Sequence, residues 1–347
     1  MFVRNRTEHK ATLTRGHVSD TLSVATVVVV STYRIDERGA LHVDSNRKAA
    51  PTDAPTTEHY ALWHEVSVTA SGMVYGPARP PFVVAVSLRV GDVLRRVAVF
   101  GDRRWERAFG GDLVPSDPAP FDALPLAFDR AYGGKFDMPP GPDPLTGFPH
   151  PGGTMAFAKN PEGRGFYLDA ASAEDGLLPN IELPEKLVQK WDDRPEPAGF
   201  APCPELVALR MTDDFLLRMT GLRPESPPPE WTPATFAPHM PVVAMRAIHH
   251  APGRLIFPTV PAGTRIELTG LGRKPLRFDV PGPPAKVVTA SSNAPNAPTG
   301  SPLRSELRSI HIDADERHVL FAHGYTMTYR RDFAPEWLLV LPSPTPS

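Results

Sequence analysis

The stretch that decides the fold is FVVAVSLRVGDVLRRVAVF, residues 82–100. Two runs rich in valine, 82–90 and 93–100, lie on either side of Gly91 and Asp92. A two-residue turn with glycine in first place matches the twist of antiparallel strands, and β-branched residues favour strands. The stretch therefore predicts a β-hairpin.

Strand patterns continue on both sides of this hairpin. Residues 22–33 are β-branched and apolar on both faces at their centre, which predicts a strand buried on both sides. Apolar and polar residues alternate along 61–75, which predicts a half-buried strand. The proline-free segment 205–219 is the best helix candidate. Further strands are predicted at 242–248, 264–269, 276–280, 305–313, 318–323, 327–331 and 337–341.

Proline limits how much helix the chain can form. There are 43 prolines among 347 residues, roughly twice the usual 5 %, and proline inside a helix removes a hydrogen bond. We therefore expect a mainly β protein with sandwich-like antiparallel sheets, long proline- and glycine-rich loops and one or two short helices. We expect a flexible N-terminal lead-in over 1–21, a β-rich core over 22–200 and a second β-rich half over 201–347. A flexible polar loop is expected within that second half at 290–304. One continuous β domain and two packed halves both remain open.

Charge and cysteine content narrow the class of protein. The 39 acidic and 37 basic residues nearly cancel, so neither nucleic acid nor an anionic membrane is indicated as a partner. The single cysteine, Cys203, cannot form an intramolecular disulfide. No signal peptide is evident near Met1, and the longest apolar run, 24–30, is too short to cross a bilayer. We therefore expect a soluble cytoplasmic protein.

Three unusual loops occupy the middle of the chain, and we call them the signature loops. They are DRAYGG at 129–134, NPEGRGF at 160–166 and LPNIELP at 178–184. Each combines charge, glycine or proline and an apolar anchor, which favours an ordered but irregular loop. Nearby aromatic residues argue against disorder because they supply apolar area to bury; these are Tyr132, Phe136, Phe148, Phe157 and Phe166. We expect the loops to lie on a β scaffold and present a surface.

The sequence does not favour a catalytic function for these loops. The chain has no nucleophile elbow, no phosphate-binding Walker loop and no dinucleotide-binding glycine motif after a strand. Asp129 and Glu182 could form a glycosidase-type acid/base pair. The alternative, which we favour, is that Asp129 accepts backbone N–H bonds while Glu182 pairs with Arg130 or Arg164.

Metal and cofactor chemistry is not predicted either. The most plausible metal cluster is formed by His311, Asp313, His318 and His323. Because these residues share no known ligand spacing, ordinary strand or turn histidines are the favoured interpretation. Cys203 lies between two prolines, and nothing nearby in sequence would lower its pKa. The glycine pairs are more typical of tight turns than of phosphate contacts.

The signature loops resemble a known family. In the same order they are similar to the patterns (E/D)-R-A-(Y/F)-G-G, N-P-x-G-x-G-F and L-P-N-x-E of the domain-of-unknown-function family twenty-one sixty-nine. Residues 99–105, 120–126 and 193–200 add further matches, so the resemblance covers roughly 22–200. The C-terminal half departs from the family pattern.

The resemblance implies an adaptor function. Members of this family are encoded beside type VI secretion genes and look like cytoplasmic accessory proteins that help load an effector, often with a PAAR-like tip, onto the VgrG spike. It implies no catalytic residues, no cofactor and no metal. A carbohydrate-active enzyme using Asp129 and Glu182 and a structural component of the spike are the alternatives.

We predict that the signature loops supply the partner-binding or loop-organising residues. For Tyr132 and Phe166, packing is the favoured interpretation. The alternative is that the signatures only build the scaffold and leave the loops 136–150 and 224–240 to select the cargo. The candidates are Asp129, Arg130, Tyr132, Gly133, Gly134, Phe136, Asn160, Gly163, Arg164, Gly165, Phe166, Asn180, Glu182 and Trp231.

Overall fold

The structure is a computed structural model, and the residues it describes form a mainly β protein. In the described part of the chain, helix is confined to one turn, α1 (Ala170–Ala173), and two short 3-10 segments, Phe128–Arg130 and Gly253–Leu255. The described residues are 1–17, 22–45, 65–138, 140–142, 149–157, 159–203, 251–291, 294–298, 300–330 and 336–343.

The strands are short except for a few that run through the centre of the molecule. The first half contains β1 (Phe2–Asn5), β2 (Lys10–His17), β3 (Leu22–Ile35), β4 (Leu41–Val43), β5 (Val66–Ser71), β6 (Met73–Tyr75), β7 (Val83–Val90), β8 (Val93–Phe100), β9 (Trp105–Arg107), β10 (Leu113–Pro115), β11 (Ala123–Pro125), β12 (Tyr132–Gly133) and β13 (Lys135–Met138). The rest of the chain contributes β14 (Gly141–Pro142), β15 (Pro149–His150), β16 (Gly153–Ala156), β17 (Arg164–Gly165), β18 (Ile181–Glu182), β19 (Ile256–Phe257), β20 (Arg265–Thr269), β21 (Leu276–Asp279), β22 (Ala285–Ser291), β23 (Ala294–Pro298), β24 (Ser305–Asp313), β25 (His318–Arg330) and β26 (Trp337–Pro342).

Three sheets carry the architecture. A seven-stranded sheet has the order β19-β5-β24-β25-β3-β2, with β4 also paired to β3. A five-stranded sheet has the order β18-β8-β7-β20-β21, and a four-stranded sheet the order β1-β26-β22-β23. Most pairs are antiparallel, but β5 with β24 and β1 with β26 are parallel. The seven-stranded and four-stranded sheets are therefore mixed, whereas the five-stranded sheet is purely antiparallel.

The two smaller sheets pack on the large one. Ile310 and Phe321 of the seven-stranded sheet share a core with Val86 and Leu88 of the five-stranded sheet. Farther along the same large sheet, another core joins it to the four-stranded sheet. Apolar packing of this kind supplies most of the driving force for folding, and the arrangement is sandwich-like, as predicted.

The 82–100 hairpin is confirmed. Strands β7 and β8 pair from Val83 opposite Phe100 to Val90 opposite Val93, and Gly91 at the turn has φ +57°. The double burial predicted for 22–33 is also confirmed, because Ser23 to Tyr33 are all buried within β3. Both patterns are local, so the sequence is sufficient to predict them.

The half-buried strand predicted over 61–75 is wrong in one respect. In β5 the polar side chains Ser67 and Thr69 are buried as fully as their apolar neighbours. The Thr69 hydroxyl lies 2.9 Å from Nδ1 of His311, and the Ser71 hydroxyl lies 3.2 Å from its Nε2. A buried histidine, rather than water, therefore satisfies this polar face.

Two segments expected to be flexible form strands instead. Within 1–21, β1 pairs with β26, and β2 pairs with β3 along its whole length. Strand β2 was missed because most of its residues are polar. Its apolar residues Ala11 and Leu13 pack on the core between the seven-stranded and four-stranded sheets. Within 290–304, β23 pairs with the end of β22. Its prolines fit because β23 is an edge strand, where a missing N–H donor costs little.

The division near residue 200 does not correspond to separate sheets. The five-stranded sheet combines β18, β8 and β7 with β20 and β21 from beyond residue 200. In the seven-stranded sheet, β24 and β25 lie between β5 and β3. The two halves of the chain therefore share both sheets. The predicted helix at 205–219, the strand at 242–248 and the cargo loop at 224–240 lie outside the described residues.

Candidate functional site

The signature loops converge on one side of the five-stranded sheet. Strands β12 and β17, from the first two loops, pair in parallel, and Ala131 forms a bridge with Ile181 of the third loop. Strand β18, also from the third loop, pairs with β8 at the sheet edge. The loops therefore do lie on a β scaffold, as the sequence indicated, and we call the three loops together with residues 99–105 the signature cluster.

Glycine is required where the first two loops touch. Gly133 has φ +152°, and a Cβ at this position would lie 2.0 Å from the carbonyl oxygen of Asn160. At Gly163 a Cβ would lie 2.4 Å from Nδ2 of Asn160 and 2.6 Å from the oxygen of Ala131. Neither position has room for a side chain. Gly134 and Gly165 complete the contact, since Gly134 N–H donates to Asn160 over 2.8 Å and Gly165 lies opposite Gly133.

Two buried asparagines hold the loops in place. Asn160 and Asn180 are both fully buried. Nδ2 of Asn160 donates to the carbonyls of Phe128 (2.8 Å) and Tyr132 (3.1 Å). Nδ2 of Asn180 donates to the carbonyl of Phe100 (3.1 Å) and to Asp102 (2.9 Å). The backbone groups that short strands leave unpaired are satisfied in this way.

Glu182 forms a buried ion pair, but its partner is not one that the sequence indicated. The expected partners were Arg130 or Arg164, whereas the structure places the Arg103 guanidinium against its Oε1. Its Oε2 accepts the N–H of Val188 over 2.7 Å. Burial raises the pKa of the Glu182 carboxyl, while Arg103 and the Val188 N–H oppose that rise.

Arg103 is equally enclosed. Its side chain is 6 % exposed, and it also donates to the carbonyl of Pro179 over 3.0 Å. Its guanidinium lies 3.9 Å from the ring centroid of Phe100, a cation–π contact. The pair therefore joins the segment after β8 to the third signature loop.

The arginines of the first two loops lie at the surface of the cluster. Nη1 of Arg130 donates to Asn180 over 3.3 Å, and Arg164 lies 3.7 Å from Asp102. Partial burial and the nearby Arg130 lower the pKa of the Arg164 guanidinium, and Asp102 and Asp129 oppose that shift. Asp129 itself is exposed, and the described residues show no backbone N–H donating to its carboxylate. The expected turn role for Asp129 is therefore not observed.

The aromatic candidates are packing residues. Tyr132 and Phe166 are buried, and the ring of Phe157 lies between them at 5.0 Å and 5.6 Å. Burial raises the pKa of the Tyr132 hydroxyl to about 12. Phe136 is partly buried against the same core. Packing was the favoured interpretation for Tyr132 and Phe166, and the structure confirms it. Trp231 lies outside the described residues.

Two of the histidines that were candidates for metal ligands contact side chains on neighbouring strands or loops. His311 contacts the hydroxyls of Thr69 and Ser71, and Nε2 of His318 lies 3.0 Å from Asp44. Within the described ranges, no group of three or more histidine, cysteine, aspartate or glutamate side chains is arranged to hold a metal ion. Cys203 is buried.

The buried carboxylate of the cluster holds polypeptide segments together. Glu182 is 3 % exposed and already bound on both oxygens, so it cannot reach a substrate as an acid or base. Sequence reasoning missed Arg103 and Asp102 as members of the cluster. The only signal for them was the segment 99–105, which resembled the family but carried no indication of its contacts.

The fold and cluster thus define a mainly β protein whose irregular loops are locked onto a sheet edge. A family model described as "Uncharacterized protein conserved in bacteria (DUF2169)" matches residues 20–323. The chain belongs to this family, and the match extends well beyond the 22–200 region that the signatures covered. No curated protein and no solved structure gives a significant match. Among the described residues, no helix has both the length and the apolar character needed to span a membrane.

Proposed function

We propose that this protein is a cytoplasmic accessory protein of type VI secretion that acts as an adaptor or chaperone. It binds an effector or PAAR-like tip and assists its loading onto the VgrG spike. The chain belongs to the family, and the association of its members with type VI secretion genes, which the resemblance of the signature loops implies, supports this function.

The observation that carries the proposal is that the buried polar side chains of the signature cluster hold its loops together. Asn160, Asn180 and Glu182 are buried and bonded to backbone or to Arg103. A reaction site needs groups that reach a substrate, whereas an adaptor needs a preformed surface that loses little conformational entropy on binding. The cluster fits the second requirement.

The exposed part of the cluster has the composition of an interface rim. Arg130 and Arg164 are half-buried, and Asp102 and Asp129 are exposed beside them. Arginine is enriched in protein interfaces, and polar side chains surround their apolar centres. The arginines are also held in place by Asn180 and Asp102, so binding would immobilise few additional rotamers.

The test measures binding and secretion separately. Purified protein is titrated with a purified PAAR-like effector and with VgrG from the same bacterium, and the secreted effector is quantified with and without the gene for this chain. We expect binding to the effector and loss of effector secretion in the deletion strain. This chain itself should remain in the cell fraction.

Asp129→Asn is the matched control for the enzymatic alternative. Because Asp129 is exposed at the rim, the substitution preserves the fold, and an adaptor carrying it should lose no more effector secretion than it loses effector binding. Loss of secretion with unchanged effector binding would favour a catalytic Asp129. Recovery of this chain in the secreted fraction would favour a spike component, and absence of binding to either protein would refute the adaptor.

A further inference from the structure

A small hairpin beside the signature cluster carries an unusually exposed aromatic side chain. Strands β9 and β10 are joined by the turn 108–112, and Phe109 at its tip is 111 % exposed, as accessible as in an extended peptide. Four large apolar side chains are exposed in the part of the chain that the structure describes, and two of them, Phe109 and Val114, belong to this hairpin. Apolar side chains that are exposed side by side mark contact sites, whereas single ones scattered over a surface do not, so these two are of interest because they share one hairpin.

The tip of the hairpin is held rigidly. The N–H of Ala108 donates to the carbonyl of Asp112 over 2.8 Å, and that of Gly111 donates to Ala108 over 2.9 Å. The Arg107 guanidinium donates to both carboxylate oxygens of Glu174, over 2.8 Å and 2.5 Å. It also donates to the carbonyl of Gly111 over 2.8 Å. The backbone that carries Phe109 is therefore ordered by these bonds, so that a partner has only the side-chain rotamers of Phe109 left to immobilise.

The base of the hairpin is part of the signature cluster. Trp105 is 1 % exposed and Leu113 is 9 % exposed, and both pack in the core that contains Tyr132 and Phe166. The N–H of Trp105 donates to the carbonyl of Gly176 over 3.1 Å. The hairpin therefore projects from the core of the signature cluster.

Charge around the tip indicates the chemistry of the partner. Arg107 is paired with Glu174, whereas the exposed Glu106 and Asp112 have no ion pair among the described residues. Glu106 lies directly opposite Val114 in the hairpin. The hairpin thus carries these two unpaired carboxylates and one further exposed arginine, Arg104, whose guanidinium donates to the carbonyl of Asp175. The charge beside the apolar tip is therefore negative on balance, and its complement is an apolar pocket with a basic rim.

We propose that the β9–β10 hairpin is the docking element for the cargo protein, with Phe109 inserting into an apolar pocket of the cargo that is rimmed by lysine or arginine. This inference rests on the proposed adaptor function and identifies the surface that performs it. Phe109 supplies the buried anchor, and Glu106 and Asp112 orient it by attraction to the basic rim.

The experiment compares two exposed phenylalanines. Phe109→Ser and Phe2→Ser each remove one; Phe2 is 63 % exposed but stacks on Trp337 at 5.1 Å in the four-stranded sheet. Binding to the purified PAAR-like effector and to VgrG is measured by calorimetry for the wild type and both variants. We expect Phe109→Ser to weaken effector binding by roughly thirtyfold, as for a hot-spot side chain, and Phe2→Ser to leave it unchanged. The midpoint of thermal unfolding should not change for Phe109→Ser, because its side chain has no packing to lose.

A charge variant tests the rim independently. Glu106→Lys combined with Asp112→Lys should weaken effector binding, and the salt dependence of the affinity should diminish or reverse. Unchanged affinity in this variant would refute the basic rim.

The remaining outcomes separate the two proposals. If the wild type binds the effector and Phe109→Ser binds it equally well, the hairpin is not the docking element, while the adaptor function stands. Loss confined to VgrG binding would refute the cargo as its partner, and a wild type that binds neither protein would overturn both proposals.

Discussion

The signature cluster and the seven-stranded sheet both exclude water, but they satisfy their backbones differently. In the sheet, β3 and β25 pair over thirteen consecutive residues, so the ladder itself uses the N–H and C=O groups. In the cluster, β12 pairs with β17 over two residues only, and the amide of Asn160 and the guanidinium of Arg103 bond the remaining carbonyls.

This difference in hydrogen bonding determines which buried side chains can be replaced without a large loss of stability. A buried valine in a long ladder contributes apolar area, which another aliphatic side chain can supply at a cost below about 1.5 kcal/mol. A side chain that bonds a buried carbonyl has no such substitute, because the carbonyl then loses its partner at a cost of about 1–3 kcal/mol. Substitutions should therefore separate the two regions.

The largest effect is expected from the buried ion pair in the cluster. Arg103→Met leaves the Glu182 carboxylate buried without its counter-ion, and we expect the free energy of unfolding to fall by about 3–5 kcal/mol. Urea denaturation at pH 7 measures the change. In the double variant Arg103→Met with Glu182→Met no charge remains to be buried, so it should recover part of the loss. A fall below about 1 kcal/mol for Arg103→Met would show that the pair does not hold the cluster.

The close contact of the first two loops should give the next largest effect. Gly133 and Gly199 have nearly the same φ, +152° and +153°, but a Cβ would collide with Asn160 only at Gly133 and meets nothing within 4 Å at Gly199. Gly133→Ala should therefore lower the free energy of unfolding by at least about 2 kcal/mol more than Gly199→Ala. Because backbone strain is common to both variants, the difference measures the collision alone. Equal losses would mean that the contact can relax.

The smallest effect concerns a buried ionisable group in the sheet. Burial lowers the pKa of His323 from 6.5 to about 4, and within the described chain its Nδ1 has no hydrogen-bond partner. The folded state therefore holds a neutral imidazole, while the unfolded chain gains a proton as the pH falls below 6.5. The contribution of His323 to the free energy of unfolding is therefore complete above pH 6.5 and is lost as the pH falls towards 4. Between pH 7 and pH 5 the loss is about 2 kcal/mol.

The variant His323→Leu isolates this titration, because His9 and every other group remain. Denaturation of both proteins at pH 7 and pH 5 should show that the wild type loses about 2 kcal/mol more than the variant. An equal loss in the two proteins would assign the acid sensitivity to other groups. In contrast to Glu182, His323 is accommodated by neutrality rather than by a counter-ion.

Sequence alone predicted the parts of the fold that are encoded locally. The hairpin around Gly91 and the double burial of β3 follow from composition within a few residues. The partner of Glu182 could not be predicted, because Arg103 lies 79 residues away and Arg130 and Arg164 are of the same type. The burial of Thr69 depends on His311, which is 242 residues distant. The exposure of Phe109 could not be predicted either, because exposure depends on the folded surface and not on the residues next to it in sequence.

The pairing of β3 with β25 has a consequence for synthesis of the chain. Val28 lies opposite Gly324, and at about 5–20 residues per second a ribosome needs roughly 15–60 s to pass from one to the other. During that interval the nascent valine-rich strand has β2 on one edge and no neighbour on the other. Such an edge invites intermolecular strand pairing, so the growing polypeptide is open to aggregation at this strand until translation reaches its partner.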